Sequence, residues 1–423
     1  MNKFSKFLIL SLLPMSIFAQ GDTLDVSKCV NIALRNNPQM RISEGATELA
    51  GEALVTSRSP LFPQLSAQSG FNRSGGAFVQ GPSIRTTYYD NYSIGIQGQQ
   101  LIYDFGKTFS KISASADLLN ASKQDLLSVR QSLIANTYQA YYTYLQARRL
   151  LKVSNEVLQQ ALEHLQQSEA FLRVGTKPEY DVLKARSDVD NARVNVLAAE
   201  NNLQVSRLQL ENTLSQKIPD NTEFTDNLET KQDSISEQAA METAMANRPE
   251  VLSSKLRLSS ANSLVTNAWG AGYPVLSATG AYNWKSLAYD QKLQDSWSFG
   301  LTLSVPLFQG FALDAGVDQA KTNEKIADAQ LALTQQSVTL DVRQQYYNLK
   351  LAYSRIEAST SLLKQAKETL RLAEARYTQE VGSAVEVTDA RVTYFNAQVT
   401  NIQAFYDYQV AYVRLQKAIG LLK

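Results

Sequence analysis

The most regular patterning along the chain is alternation. Trp297, Phe299, Leu301, Leu303 and Val305 alternate with Ser298, Gly300, Thr302 and Ser304. Just before them, Leu276, Ala278, Gly280, Tyr282 and Trp284 alternate with Ser277, Thr279, Ala281 and Asn283. A period of two predicts strands with one apolar and one polar face; membrane-barrel strands carry this pattern, and so do ordinary soluble hairpins. The predicted strands are about 275–284 and 297–306, with an earlier pair at about 64–73 and 92–102. Polar stretches bearing Gly or Asp, about 74–91 and 285–296, read as the loops between them. Trp269, Trp284 and Trp297, together with Tyr282, fall in or beside these segments, where a membrane-interface aromatic belt would place them.

After each strand pair the period changes from two to seven. The stretches at about 106–172 and 312–379 contain no Pro. In the first, Ile112, Leu119, Leu126, Leu133, Ala140, Ala147, Ser154 and Ala161 recur every seven residues, with a companion track three positions on. Sustained heptads predict coiled-coil helices, and small seam residues let neighbours approach closely. At 1.5 Å per residue such a helix is about 100 Å long. Gly175 and Gly382 read as turns where a left-handed backbone is needed. Helices then return over about 178–216 and 384–419, and each strand pair is preceded by a helical stretch, about 24–58 and 237–270.

The same order occurs twice. Asn36-Asn37-Pro38 recurs as Asn247-Arg248-Pro249, Pro63-Gln64-Leu65-Ser66-Ala67 as Pro274-Val275-Leu276-Ser277-Ala278, and Gln139-Ala140-Tyr141-Tyr142 as Gln344-Gln345-Tyr346-Tyr347. The Tyr pairs read as packing between inner and outer helices. A duplicated domain follows, with repeats 20–214 and 237–423 joined by a polar linker, 215–236. The N-terminus adds an address: Lys3 and Lys6 precede an apolar run from Phe7 to Phe18, too short to span a bilayer. It reads as an export signal, residues 1–19, cut after Ala19. Cys29 reads as a half-buried residue of the first helix, the other reading being a lipid-bearing cysteine.

Composition narrows the chemistry. The 423 residues carry 41 Lys+Arg against 40 Asp+Glu, one His and one Cys. This balance does not suit a nucleic-acid binder. One His and one Cys cannot build a zinc site, a disulfide framework or a Cys/His catalytic pair. Gly106-Lys107-Thr108 resembles the end of a phosphate loop, but Leu101 stands where the first Gly belongs. His164 lies on a heptad track and reads as a packed residue, while Asp188 and Asp190, two apart on a helix, point different ways. No catalytic residue, metal site or cofactor is expected, and so no enzyme.

Four strands cannot close a barrel, and open edges are not tolerated in lipid. If the strands are in a membrane, the chain must therefore oligomerise, and its long helices would continue the wall as a tube. With these features in place, the chain resembles the TolC-like outer-membrane efflux protein family over nearly its whole length. The likeness rests on Leu24-Asp25-Val26 to Asn37-Pro38, on the duplicated order, and on the helix-tip motif from Gly175-Thr176-Lys177-Pro178 to Arg186 with its partner from Gly382 to Arg391. The resemblance implies a mainly α chain with membrane β, in which the duplicated helix–strand–strand–helix–helix units form a homotrimer with a twelve-stranded outer-membrane β-barrel. A long periplasmic α-helical coiled-coil barrel would continue it. The implied function is the exit duct of a tripartite pump in a Gram-negative outer membrane, passing small molecules onward from a periplasmic adaptor and an inner-membrane transporter. Type I protein secretion is an alternative, and a soluble periplasmic coiled-coil scaffold is one of another class. Glu386 and Asp389, three apart on one helix face, would ring the periplasmic entrance. Asp181, at the matching place in the first repeat, would hold the tip shut through polar links. The turns at Gly175, Thr176, Gly382 and Ser383 would dock the adaptor. The second turn reads as two residues shorter than the first.

Overall fold

The structure is a computed structural model that describes residues 23–80, 83–226, 235–286 and 292–422. The predicted export signal lies outside the described residues, as do 81–82 and 287–291 of the predicted loops and 227–234 of the linker. Among the described residues eight α-helices and four strands follow in chain order. They are α1 (Val26–Asn36), α2 (Pro38–Arg58), β1 (Gln64–Gln80), β2 (Ser83–Tyr103), α3 (Lys107–Arg173), α4 (Glu179–Leu214), α5 (Glu237–Asn247), α6 (Pro249–Gly270), β3 (Val275–Ser286), β4 (Gln294–Ser304), α7 (Ala312–Thr378) and α8 (Ala384–Ala418). Each stretch read as one helix before the strands is in fact two. Asn37 (ψ 126°) and Arg248 (ψ 122°) are extended because each precedes a proline, whose ring disfavours helical backbone at the preceding residue. No helix among the described residues is long and apolar enough to cross a membrane.

Two compact units divide the chain, and they are not the two repeats. Among the described residues, one gathers those up to 40, 130–237 and 343–422, and the other those of 41–129 and 238–342. Each therefore draws on both repeats, because α3 and α7, 67 residues apiece, begin in one unit and end in the other.

The strand-bearing unit holds one antiparallel sheet in the order β1-β2-β3-β4. Its register separates the two faces. Ala67, Ile96, Tyr282 and Trp297 lie in one row across the four strands, with Leu65, Gly98, Gly280 and Phe299 in a parallel row on the same face. Between them, on the opposite face, run Ser66, Gln97, Ala281 and Ser298. Trp297 is 76% exposed and Phe299 70%, so the apolar side of this sheet is uncovered. The first hairpin is longer than the alternation predicts. Its strands continue through much of 74–91, because polar residues can pair as well as apolar ones: Asp90 accepts two hydrogen bonds from Arg73, at 2.6 and 2.7 Å. After β2, Asp104 caps α3 by accepting from the Thr108 amide (2.8 Å) and hydroxyl (2.5 Å). Gly106-Lys107-Thr108 is thus a helix start.

In the same unit α6 lies along α3 through small and polar contacts. Asp125 accepts from Ser253 (2.6 Å), Asp117 from Ser259 (2.7 Å), and the Lys107 carbonyl from the Asn267 amide (2.7 Å). A Cβ on Gly270 would stand 2.8 Å from that of Lys107, so the close approach requires glycine. Here the buried seam of α3 is Ala114 and Ala121, while the predicted Ile112 and Leu119 are half-buried. The bulkier residues flank the seam, and the methyl groups occupy the closest approach. The other unit follows the predicted track at Ala147, Ser154 and Ala161. There α4 buries Val182, Ala185, Val189, Ala192, Val196 and Ala199, a 3-4 spacing of alternating large and small residues. In α8 every seventh residue from Ala390 to Ala418 is a buried alanine.

Candidate functional site

The site of interest is where α3 turns into α4 and α7 into α8. Both connections have five residues, 174–178 and 379–383, so the second turn is not shorter. They share one backbone solution. The second residue of each loop is left-handed, Gly175 at φ 78° and Glu380 at φ 64°. The third donates its amide to the carbonyl five residues back, Thr176 to Phe171 and Val381 to Arg376, both near 3 Å. Gly382 is not among the residues with positive φ. It is needed for space instead: a Cβ there would lie 3.0 Å from the Tyr377 nitrogen and 3.1 Å from the Arg376 carbonyl carbon. Each hairpin is tied by an ion pair across seventeen residues, Glu169–Arg186 (3.1 Å) and Glu374–Arg391 (2.9 Å).

The two hairpins are also tied to each other. Asp181 on α4 is 8% exposed and accepts from the Tyr377 hydroxyl of α7 at 3.3 Å. Lys177 places its ammonium 4.7 Å from the centre of the Tyr377 ring, and His164 meets that ring edge-on at 5.2 Å. Asp188, two helical turns beyond Asp181, accepts from Thr388 of α8 at 2.6 Å with one oxygen and from Lys184 at 2.9 Å with the other. An apolar cluster that includes Leu370, Tyr377, Val387 and Ala390 underlies these bonds. Beside it a cavity of about 350 Å³ is lined by His164, Glu163, Glu374, Tyr377 and Arg391, among others. Burial, and then the charge of Arg391, pushes the His164 imidazole down to about 4, which makes it a neutral packing residue at ordinary pH.

Glu386 and Asp389 are both exposed, and Ser383 caps α8 by accepting from the Glu386 amide at 3.2 Å. Glu386 pairs with Arg376 at 3.2 Å, a partner the sequence did not suggest. Asp181 is brought to Tyr377 rather than to the exposed acidic pair. Asp188 turns to Thr388, whereas Asp190 pairs with Arg193 on the surface, so the two do diverge. Tyr282 and Trp297 share the apolar face of the sheet, and the Tyr282 hydroxyl donates to Asp295 at 2.7 Å. Trp284 is half-buried, and Trp269 sits on α6 with the Lys321 ammonium 5.1 Å from its ring centre. Tyr141 and Tyr142 are buried as expected, but Tyr347 is exposed and donates to Glu237 at 2.9 Å. Cys29 is fully buried, and burial pushes its thiol up to about 12. Tyr377, Thr388 and the Glu–Arg ties were not found from sequence. The seven-residue interval between Asp181 and Asp188 on one helix was the available signal.

A family model described as outer membrane efflux protein matches residues 29–216 and 240–421. The chain is 26% identical over 441 residues to outer membrane protein TolC of Escherichia coli, covering 100% of this chain and 87% of that one. It is also 26% identical to the solvent efflux pump outer membrane protein SrpC of Pseudomonas putida, over 93% of this chain and 84% of that one. Its fold resembles the crystal structure of a membrane protein from Pseudomonas aeruginosa with a TM-score of 0.85 at 24% identity, covering 93% of each chain.

Proposed function

We infer the function of this chain from its family: it belongs to the outer membrane efflux proteins, which are channels and not enzymes. We propose that three copies form one duct, with a twelve-stranded barrel in the outer membrane and a helical barrel projecting into the periplasm. The observation that carries this reading is the sheet. One face is apolar and uncovered, the other polar, and β1 and β4 are the outer strands of the described sheet. Such a face suits lipid, and such edges must be paired within a bilayer. Pairing β4 of one copy with β1 of the next closes the wall without exposing backbone to lipid.

The duct conducts passively, and the driving step belongs to an inner-membrane transporter reached through a periplasmic adaptor. The turns at Gly175-Thr176 and Gly382-Ser383 are the adaptor contacts. Glu386 and Asp389 face the entrance, where threefold repetition makes rings of carboxylates that favour cations. The buried Asp181–Tyr377 bond holds the two hairpins of one chain together in the closed state. Small molecules are the favoured cargo over secreted protein, in keeping with the solvent pump named for one relative.

The test is the native mass of the mature protein extracted from outer membranes, with ion conductance in planar bilayers. A detergent-dependent particle of three chains that conducts is expected. A monomer or dimer released without detergent would overturn the duct. Deletion of the gene separates cargo classes: sensitivity to solvents and drugs supports efflux, and loss of a secreted protein with unchanged sensitivity favours secretion.

A further inference from the structure

We propose that Asp188 and Thr388 form a second clasp between the two helical hairpins, and that this clasp contributes more than the Asp181–Tyr377 bond to keeping the tip closed. The inference rests on the duct reading for its functional meaning. Its structural basis is separate.

The helix α4 carries Asp181 and Asp188 seven residues apart, which places them on one face two turns from each other. Each meets a hydroxyl of the other hairpin, but from different helices: Tyr377 belongs to α7 and Thr388 to α8. Separating the hairpins therefore breaks both bonds, while a shift of α7 alone breaks only the first. The two contacts are unequal in geometry. Tyr377 to Asp181 spans 3.3 Å, longer than the roughly 2.5–3.0 Å usual for a hydroxyl donor, whereas Thr388 to Asp188 spans 2.6 Å, as expected of a hydroxyl donating to a carboxylate.

Asp188 is also held in place. Lys184, one turn earlier on α4, donates to Oδ1 at 2.9 Å and leaves Oδ2 for Thr388. The Asp188 side chain is 18% exposed and Thr388 is buried, so water competes little for either group. Lys184 is a positioning residue: it holds the carboxylate oriented toward α8.

The experiment uses the full-length protein in detergent and in bilayers, with Thr388→Val, Thr388→Ser and Tyr377→Phe. Valine keeps the branched shape and removes the hydroxyl; serine keeps the hydroxyl. Two readouts are taken, amide exchange across 374–391 and the open probability of single channels. A hydrogen bond to a charged group accounts for about tenfold in such an equilibrium. Thr388→Val should raise tip exchange and open probability about tenfold, Thr388→Ser less than about twofold, and Tyr377→Phe by an amount between these. Wild-type exchange in Thr388→Val, or equal effects of Val and Ser, would overturn the clasp. A wild-type protein that conducts no ions would overturn the duct instead, and the exchange readout would still decide whether the clasp exists.

Discussion

The two tip turns offer a controlled comparison, since one backbone shape is built with Gly at its left-handed position in the first repeat and Glu in the second. A left-handed conformation costs a non-glycine residue about 1–2 kcal/mol. Glycine avoids that cost but gives up about 0.5–1 kcal/mol of extra freedom in the unfolded chain. The net benefit of glycine at this position is then about 0.5–1 kcal/mol. Nothing lies within 4 Å of where a Cβ on Gly175 would stand, so Gly175→Ala adds no collision and tests the backbone term alone. It should loosen its turn by that amount, and Glu380→Gly should tighten the other. Gly382→Ala differs in kind. Its Cβ would press on backbone atoms at 3.0 and 3.1 Å, which cannot swing aside, and should cost about 1–3 kcal/mol through displacement of the turn. Local amide exchange over 171–181 and 374–387 is the suitable assay, because a chain of two compact units need not unfold in one step. One kcal/mol appears as about a fivefold change in local opening. Unchanged exchange in Gly175→Ala, or faster exchange in Glu380→Gly, would refute the shared-turn reasoning.

On the apolar face of the sheet, Phe299→Arg should cost about 2–4 kcal/mol near a bilayer midplane, whereas Ser298→Arg on the opposite face should be tolerated. The yield of the protein assembled in outer membranes checks this, and equal yields would count against lipid contact. Asp389→Ala should relieve block of the channel by multivalent cations more than Glu386→Ala, because Arg376 already offsets the Glu386 charge; titration of block in single-channel recordings decides it. His164, surrounded by Arg391, Asp181, Asp188 and Glu374, binds its proton more weakly when packed than when released. Its contribution is therefore intact above about pH 6.5 and falls away toward pH 4, amounting to a loss of about 2 kcal/mol at pH 5. Tip exchange compared at pH 7 and pH 5 should show this slope in the wild type and a smaller one in His164→Asn. Equal slopes would assign it to the carboxylates.

The sheet was legible because its signal is local: alternation in Trp297 to Ser304 is visible in one segment, and pairing only confirms which residues share a face. The helix breaks at Asn37 and Arg248 were also written in the sequence, since each precedes a proline, yet a helical period on both sides concealed them. Gly382 shows a different limit. A glycine can supply backbone freedom or space, and the letter alone does not say which; Glu380 carries the unusual φ two residues earlier. The contact between Asp181 and Tyr377 joins residues 196 positions apart, and no periodicity in either helix points across that distance. Spacing puts Glu386 and Asp389 on one helix face and no more, while the Arg376 partner of Glu386 comes from the neighbouring helix across the turn.

The single file of alanines on α8 sets how that helix can move. A methyl group has no rotamer to choose, so burying five of them freezes no side-chain freedom and leaves none to be rearranged later. Long interdigitated side chains act as teeth, holding a helix in steps of about one turn until they disengage. Methyls in a row form a smooth rail. From Ala384 to Ala404 every buried residue of α8 is small, so displacement there meets little graded resistance, while buried Tyr406, Tyr408 and Leu415 farther along are the teeth that set the rest position.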